Sequence, residues 1–288
     1  MQLPLLPHRL HSKLLITIIF SVSSITHAGS DNYASFNIGR DNDDGGLFDA
    51  YVDIALTEAL HIDLGAGQNT IDSDEGKFKT KQTQISLSGL HTYDEQSAIS
   101  WSAGYRSWGK TDVIEARDTI FSVGYFSPLQ WHVSLDYELG ELKLFTRREF
   151  ENRQKFLSSD RDAWRLSLDY AHDTGFVWIS FLRRNYKKNL SLINQKRTLQ
   201  RAIKRFALSQ AFALSKEELT LGYEWSFEKL SLGADYNRIV SVIDNRRNQY
   251  ASIFTRYDIG QDLTINFRIE QEIKNSFTVF TAGVGVAW

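Results

Sequence analysis

The sequence predicts an all-β fold: a single antiparallel transmembrane β-barrel of about fourteen strands, with both termini at the same end. Three observations support this. Apolar and polar residues alternate with a period of two in many windows, which is typical of strands with two unlike faces. Tight connections alternate with longer polar ones, as hairpins do at the two ends of a barrel. Beyond residue 29, no apolar stretch reaches the length of about 20 residues that a transmembrane helix needs.

The N-terminal residues 1–28 have the pattern of a secretory signal peptide. Arg9 and Lys13 precede a short apolar run over 14–22, and small residues lie at or near the position after Ala28. This order of charge, apolar run and small residues is typical of a cleavable export signal. The alternatives are a short buried helix or an anchor, but the run is too short to cross a bilayer. We therefore expect residues 29–288 to form the mature barrel.

Strands are predicted wherever every second residue is apolar. The clearest windows are 48–57, 60–67, 98–106, 131–139, 164–170, 219–227 and 263–270. In a soluble sandwich the apolar faces would meet each other, whereas in a barrel they would meet lipid, and alternation alone fits both. Aromatic residues near strand ends favour the barrel, because such rings collect at membrane interfaces. These residues are Tyr105, Trp131, Trp164, Tyr170, Trp225 and Trp288.

The connections determine the number of strands. Tight connections are predicted at 57–59, 127–130, 172–175, 215–218 and 260–262, and longer polar ones at 40–47, 69–79, 109–117, 151–162, 188–198 and 244–248. The alternation changes phase near Leu139–Leu142 and near Phe227–Leu230, where a hairpin, a bulge or a strand leaving the membrane would each fit. Two hairpins there give sixteen strands and none gives fourteen. We predict fourteen, with twelve or sixteen as alternatives, because about 260 mature residues at roughly 18–20 per strand and connection favour that number.

The last eight residues carry a specific resemblance. Thr281, Gly283, Val286 and Trp288 occupy the four defined positions of the C-terminal sorting signal of Gram-negative outer-membrane β-barrel proteins, which this segment resembles. The resemblance implies a closing strand that the barrel assembly machinery reads during biogenesis. It also implies an outer-membrane location in contact with lipids and lipopolysaccharide, and an even strand count then places both termini in the periplasm. The motif covers only eight residues and matches no functional subfamily.

Charge is distributed unevenly along a chain whose net charge is only −2, which gives no reason to expect a nucleic-acid partner. Residues 29–140 contain 18 acids and 7 bases, whereas residues 141–205 contain 7 acids and 16 bases. If the polar faces point inward, an acidic wall beside a basic wall would create a transverse field across a wet lumen. The candidate pore-lining residues are Asp49, Asp53, Asp63, Arg106, Asp136, Glu138, Arg165, Asp169, Arg184, Arg205, Glu224, Asp235, Arg256, Asp258, Arg268 and Glu270. Alternatively, these charges pair across strands and fill the interior.

No catalytic or metal site is expected. The chain has no cysteine, and its mature part has four scattered histidines without metal-ligand spacing. The segment 172–175 lacks the serine and asparagine of the signature of outer-membrane phospholipases, so that activity is not inferred. We predict no cofactor and a porin-like channel for passive diffusion of small hydrophilic or charged solutes. The alternatives are an outer-membrane enzyme acting on lipid or lipopolysaccharide, and a non-conducting structural or interaction barrel.

Overall fold

The computed structural model describes residues 32–42, 45–71, 78–93, 97–110, 114–146, 155–190, 214–242, 245–274 and 278–288. These residues form fourteen antiparallel strands that close into one barrel, which confirms the predicted fold class and strand number. The predicted signal peptide, residues 1–28, and Arg205 lie outside the described residues. No helix in the described part of the chain is long and apolar enough to span a membrane.

The strands follow one another around the barrel in chain order. Their bounds are β1 Asn32–Asp41, β2 Gly46–Thr57, β3 Leu60–Ile71, β4 Phe78–Thr92, β5 Ala98–Lys110, β6 Ile114–Phe126, β7 Trp131–Thr146, β8 Lys155–His172, β9 Gly175–Tyr186, β10 Ser215–Phe227, β11 Leu230–Ser241, β12 Arg247–Ile259, β13 Leu263–Glu272 and β14 Thr278–Ala287.

The barrel closes where the first strand pairs with the last. Tyr33 pairs with Ala287, and the register continues without a shift to Asp41 and Val279. Below the ladder, the backbone amides of Asn32 and Trp288 donate to each other's carbonyl oxygens at 3.3 and 3.2 Å. The ends of the described chain therefore lie together, at one end of the barrel.

The two ends of the barrel differ in their connections. One end, which we call the turn end, carries the short connections 58–59, 93–97, 127–130, 173–174, 228–229 and 260–262, together with both ends of the described chain. The opposite end, the loop end, carries the other connections. These include every connection longer than five residues, such as 147–154 and 187–214. Gly260 opens one short turn with a φ of 75°, a backbone conformation that a residue with a Cβ adopts at a cost.

Two local predictions come out differently. The phase change near Leu139–Leu142 is not a hairpin, in agreement with the count of fourteen, because β7 continues through it with unbroken pairing to β8. The one at Phe227–Leu230, which that count did not treat as a hairpin, is a tight hairpin between β10 and β11. The predicted tight connection at 215–218 is wrong, because Glu217 and Glu218 pair with residues of β9 inside the ladder. The hairpin adds one strand and the missing turn removes one, so the number of strands stays at fourteen.

The outward face is apolar over a continuous band. On β7, the side chains of Trp131, Val133, Leu135, Tyr137 and Leu139 are all exposed. At about 3.3 Å per residue along a strand tilted by about 40°, this run covers roughly 20 Å along the barrel axis. Above Leu139 the outward positions of β7 become charged, since Lys143 and Glu141 form an ion pair at 2.9 Å. The phase change in the sequence therefore marks the upper edge of the apolar band.

Candidate functional site: the interior of the barrel

The interior is built from the polar half of each alternating strand. Residues paired directly across an antiparallel ladder share a face, so the row Asp53, Asp63, Ser86, Gly104 extends across β2 to β5 on the inward side. The same row continues through Ile120 to Glu138. Their neighbours in each strand, including Ile54, Leu64 and Tyr105, are among the exposed apolar residues.

Fifteen of the sixteen candidate lining residues are described, and each contacts another inward polar side chain. We divide the interior by distance along the strand. Inward side chains within six residues of the turn end of their strand form the turn half, and the others form the loop half. The halves differ in how their charges are held.

A buried ionic network occupies the loop half on β5 to β9. Arg161 donates to both carboxylate oxygens of Asp118, at 2.9 and 2.6 Å. Arg106 donates to Asp118 at 3.3 Å and to Glu138 at 3.2 Å. Arg184 donates to the other oxygen of Glu138 at 3.1 Å. Alternating signs thus follow one another around the wall, and each carboxylate receives two arginines.

The network continues onto β10. Arg184 also donates to Glu218 at 3.0 Å and to the hydroxyl of Ser215. Arg165 of β8 lies 3.7 Å from the second oxygen of Glu218, although its ladder partner on β7 is Asp136. Arg165 and Arg184, the described arginines of the predicted basic wall, are therefore paired with carboxylates one or two strands away.

Burial of the network is nearly complete. The side chain of Arg184 is 0% exposed and that of Glu138 is 5% exposed. Leu142 and Leu182 are buried on the inward face beside it. Gly140 lies against Asp118, and a Cβ at this position would overlap the Asp118 carboxylate and the Arg117 carbonyl. Ions removed from water in this way need complete pairing, because an unpaired buried charge costs several kcal/mol.

Arg256 and Arg268, in the turn half, form three further ion pairs with carboxylates on β10, β11 and β13, and both arginines are partly exposed. Arg256 donates to Glu224 at 2.5 Å, with exposed fractions of 23% and 13%. Arg268 contacts Asp235 at 2.8 Å and Glu270 at 3.5 Å, and its guanidinium lies 5.8 Å from the centre of the Phe254 ring. Asp258 does not pair with Arg256, although both lie on the inward face; it accepts from Thr264 at 2.8 Å.

The remaining candidates are half-buried carboxylates whose hydrogen-bond partners are not arginine or lysine. Asp63 is the most fully bonded, since one oxygen accepts from the Tyr51 hydroxyl and the other from Ser86 and Ser88, both at 3.1 Å. The others have one partner each in the structure. These pairs are Asp49 with Asn37 at 3.0 Å, Asp53 with His61 at 3.0 Å, Asp136 with Ser122 at 2.6 Å, and Asp169 with His132 at 2.9 Å.

Sequence reasoning missed Asp118, Arg161 and Glu218, which are central to the network. It assigned 151–162 to a long loop and 215–218 to a turn, and so excluded Arg161 and Glu218 from any strand. The signal that could have identified Arg161 is the two-residue alternation of strand faces. Arg161, Ala163 and Arg165 have the spacing of one strand face, and all three point inward.

The outward face at the turn end carries a chain of aromatic rings. Trp131 and Tyr170 have ring centres 4.4 Å apart, Tyr170 and His172 6.1 Å, His172 and Tyr223 5.7 Å, and Tyr223 and Trp225 4.5 Å. A hydrogen bond of 3.1 Å joins the Tyr223 hydroxyl to Nε2 of His172. Such rings suit the boundary between lipid and water, where one edge is apolar and the other is wet.

His172 is thus part of this ring chain. Across the described residues, no three histidine, aspartate or glutamate side chains are grouped closely enough to hold a metal ion.

Comparison with solved structures identifies barrels of the same kind. The "CymD monoaromatic hydrocarbon channel" matches with a TM-score of 0.52 at 8% identity, over 90% of this chain and 89% of that one. The "KdgM porin" matches with a TM-score of 0.48 at 7% identity, over 89% and 99%. The outer membrane protein Omp33 of Acinetobacter baumannii matches with 0.48 at 7%, over 90% and 98%. No protein-family model and no curated protein sequence matches the chain. At 8% identity, the match to the CymD channel shows the fold alone, a closed β-barrel.

Proposed function

We propose that this protein is an outer-membrane channel for the passive diffusion of small hydrophilic or charged solutes. One observation carries the proposal: a closed barrel presents an apolar band outward and half-buried carboxylates inward. Carboxylates left without a cation in a closed interior are costly unless water reaches them. Asp53 and Asp169, for example, have side chains 29% and 23% exposed.

The width of the barrel supports an aqueous path. With strands about 4.8 Å apart and tilted by about 40°, a fourteen-strand barrel has a backbone radius of roughly 14 Å. The ionic network occupies the wall of β5 to β10, but the wall of β3 to β5 carries short inward residues. Gly65, Gly67, Ser86, Ser88 and Gly104 are examples. Short residues on one wall leave room beside the long arginines of the other.

The position in the membrane follows from the same two faces. We infer that the turn end, with its aromatic chain, lies at the periplasmic interface and that the loop end faces the cell exterior among lipopolysaccharide. This orientation places both termini in the periplasm, as expected after export with cleavage of residues 1–28. In this proposal, Thr281, Gly283, Val286 and Trp288 are read by the barrel assembly machinery. The outward stripe of Phe280, Val284, Val286 and Trp288 on or beside β14 supports that reading, because all four are exposed.

Planar bilayer recordings test the channel directly. Purified, folded protein is expected to produce discrete conductance steps in potassium chloride, whereas heat-unfolded protein from the same preparation is not. Folded protein that inserts into bilayers and never conducts would contradict the proposal. That outcome would favour the second candidate, a non-conducting barrel, for which the buried network around Arg184 is the supporting observation.

A further inference from the structure

Among the described residues, the inward face carries more carboxylates than arginines. Six described arginines face inward, and each lies within 4 Å of at least one carboxylate: Arg106, Arg161, Arg165, Arg184, Arg256 and Arg268. Their carboxylate partners are also six: Asp118, Glu138, Glu218, Glu224, Asp235 and Glu270. The arginines are thus fully matched within the wall.

Six further inward carboxylates have no arginine or lysine partner among the described residues. They are Asp49, Asp53, Asp63, Asp136, Asp169 and Asp258. Their hydrogen bonds come from an amide, hydroxyl groups and two imidazole rings, which fix the carboxylates in position and, unlike a guanidinium, carry no permanent positive charge. Lys216 does not alter this count in the turn half, since it lies in the bulge at the loop end of β10.

Most of the matched carboxylates are more buried than the unmatched ones. Asp118, Glu138, Asp235 and Glu270 of the matched set are buried, whereas Glu218, Glu224 and all six unmatched carboxylates are half-buried. Arg165, Arg256 and Arg268 are also partly exposed, at 25%, 23% and 26%, but each of them lies beside a carboxylate. The uncompensated charge that water and solutes in the lumen meet is therefore negative. Five of these six carboxylates lie in the turn half, on strands β2, β3, β7, β8 and β12, so they are spread around the circumference.

We propose that the lumen prefers cations, so that inorganic cations and small solutes of net positive charge pass more readily than anions. This inference rests on the proposed channel function and adds the sign of the permeating charge. A pore with low-dielectric walls focuses the field of its uncompensated charges, which raises the local concentration of counterions. Rings of aspartate or glutamate produce cation preference in channels by this physical effect.

The test is the reversal potential in a potassium chloride gradient across a planar bilayer. The unmodified channel is expected to pass potassium several-fold better than chloride. A triple variant, Asp63→Asn, Asp136→Asn and Asp258→Asn, removes three unmatched carboxylates whose partners are hydroxyl groups. Its potassium-to-chloride permeability ratio is expected to fall towards one. If the triple variant does not fold, the single variants Asp63→Asn and Asp136→Asn should each lower the ratio part of the way.

A matched control removes three carboxylates from the outward face. Glu115→Gln, Glu141→Gln and Asp160→Asn change the net charge by the same amount, but these side chains pair with outward Arg117, Lys143 and Lys187. The control is expected to keep the ratio of the unmodified channel.

A channel that conducts with equal or greater permeability to chloride would overturn the inference and leave the channel function standing. An equal loss of preference in the control would also overturn it. Absence of any conductance would instead remove the channel function itself, and this inference with it.

Discussion

The loop half and the turn half of the barrel interior use charge in opposite ways. In the loop half, arginines and carboxylates bond one another and are hidden from water, as Arg184 and Glu138 illustrate. In the turn half, most carboxylates have no arginine or lysine partner and remain partly exposed, as Asp136 illustrates with Ser122. The same residue types on the same strand face can therefore either hold the barrel wall together or face the solvent. Which of the two they do depends on the partners that the register supplies.

The largest loss of stability is expected from a substitution that disrupts the ionic network of the loop half. Glu138→Gln removes the carboxylate that Arg106 and Arg184 share, and it leaves both guanidinium groups buried with less compensation. Loss of one partner of a buried ion pair costs about 3–5 kcal/mol. The measurement is the unfolding free energy in detergent or lipid. The matched control is Asp136→Asn, two residues away on the same strand and face, which we expect to change the unfolding free energy by less than about 1 kcal/mol. Equal losses in both variants would mean that the two halves do not differ.

A smaller effect is expected from crowding the same network. Gly140→Ala places a Cβ against the Asp118 carboxylate and the Arg117 carbonyl, so Asp118 must shift away from Arg161. Overpacking of this kind costs about 1–3 kcal/mol, which a thermal unfolding midpoint would detect. Gly46→Ala is the control, because no atom lies within 4 Å of its added Cβ. A Gly140→Ala barrel as stable as the unmodified protein would show that Asp118 is not held in a fixed place.

The smallest effect concerns the outward face at the turn end. Tyr223→Phe keeps the ring between His172 and Trp225 but removes the hydroxyl that contacts Nε2 of His172. We expect a loss of about 0.5–1.5 kcal/mol, the usual net value of one hydrogen bond. Trp131→Phe, at the other end of the ring chain, removes no such bond and serves as the comparison. A loss at Tyr223 as large as that at Glu138 would contradict the view that the buried network dominates stability.

Much of the fold could be predicted from the sequence because a barrel in lipid imposes one rule on every strand. Alternation such as that of Trp131 to Leu139 identifies each strand and its outward face, and the short turns fix the order of neighbours. The rule weakens where a strand leaves the apolar band. Leu142 is apolar and points inward while Lys143 points outward, so the phase change there resembled a possible chain reversal.

The interior was less predictable, because charge pairing depends on the register between strands. Polar parity indicated correctly that Arg184 and Glu138 share a face, but not that they lie within 3.1 Å of each other across β8. Arg256 and Asp258 lie two residues apart on one strand face, yet Arg256 bonds Glu224 two strands away and Asp258 accepts from Thr264. Long arginine side chains extend past the adjacent strand, so the spacing of residues in the sequence does not predict which carboxylate each arginine contacts.

Two glycines of β14 limit how this strand can pair with β1 at the closure of the barrel. A Cβ on Gly283 would overlap the Asn37 amide, and one on Gly285 would overlap the Tyr33 ring. Positions 283 and 285 therefore accept only glycine while Asn37 and Tyr33 keep these side-chain positions. A slip by one residue would bring Ala282 or Val284 beneath Asn37 and turn the apolar stripe of β14 into the lumen. The two glycines thus favour a single register between the first and the last strand when the barrel closes.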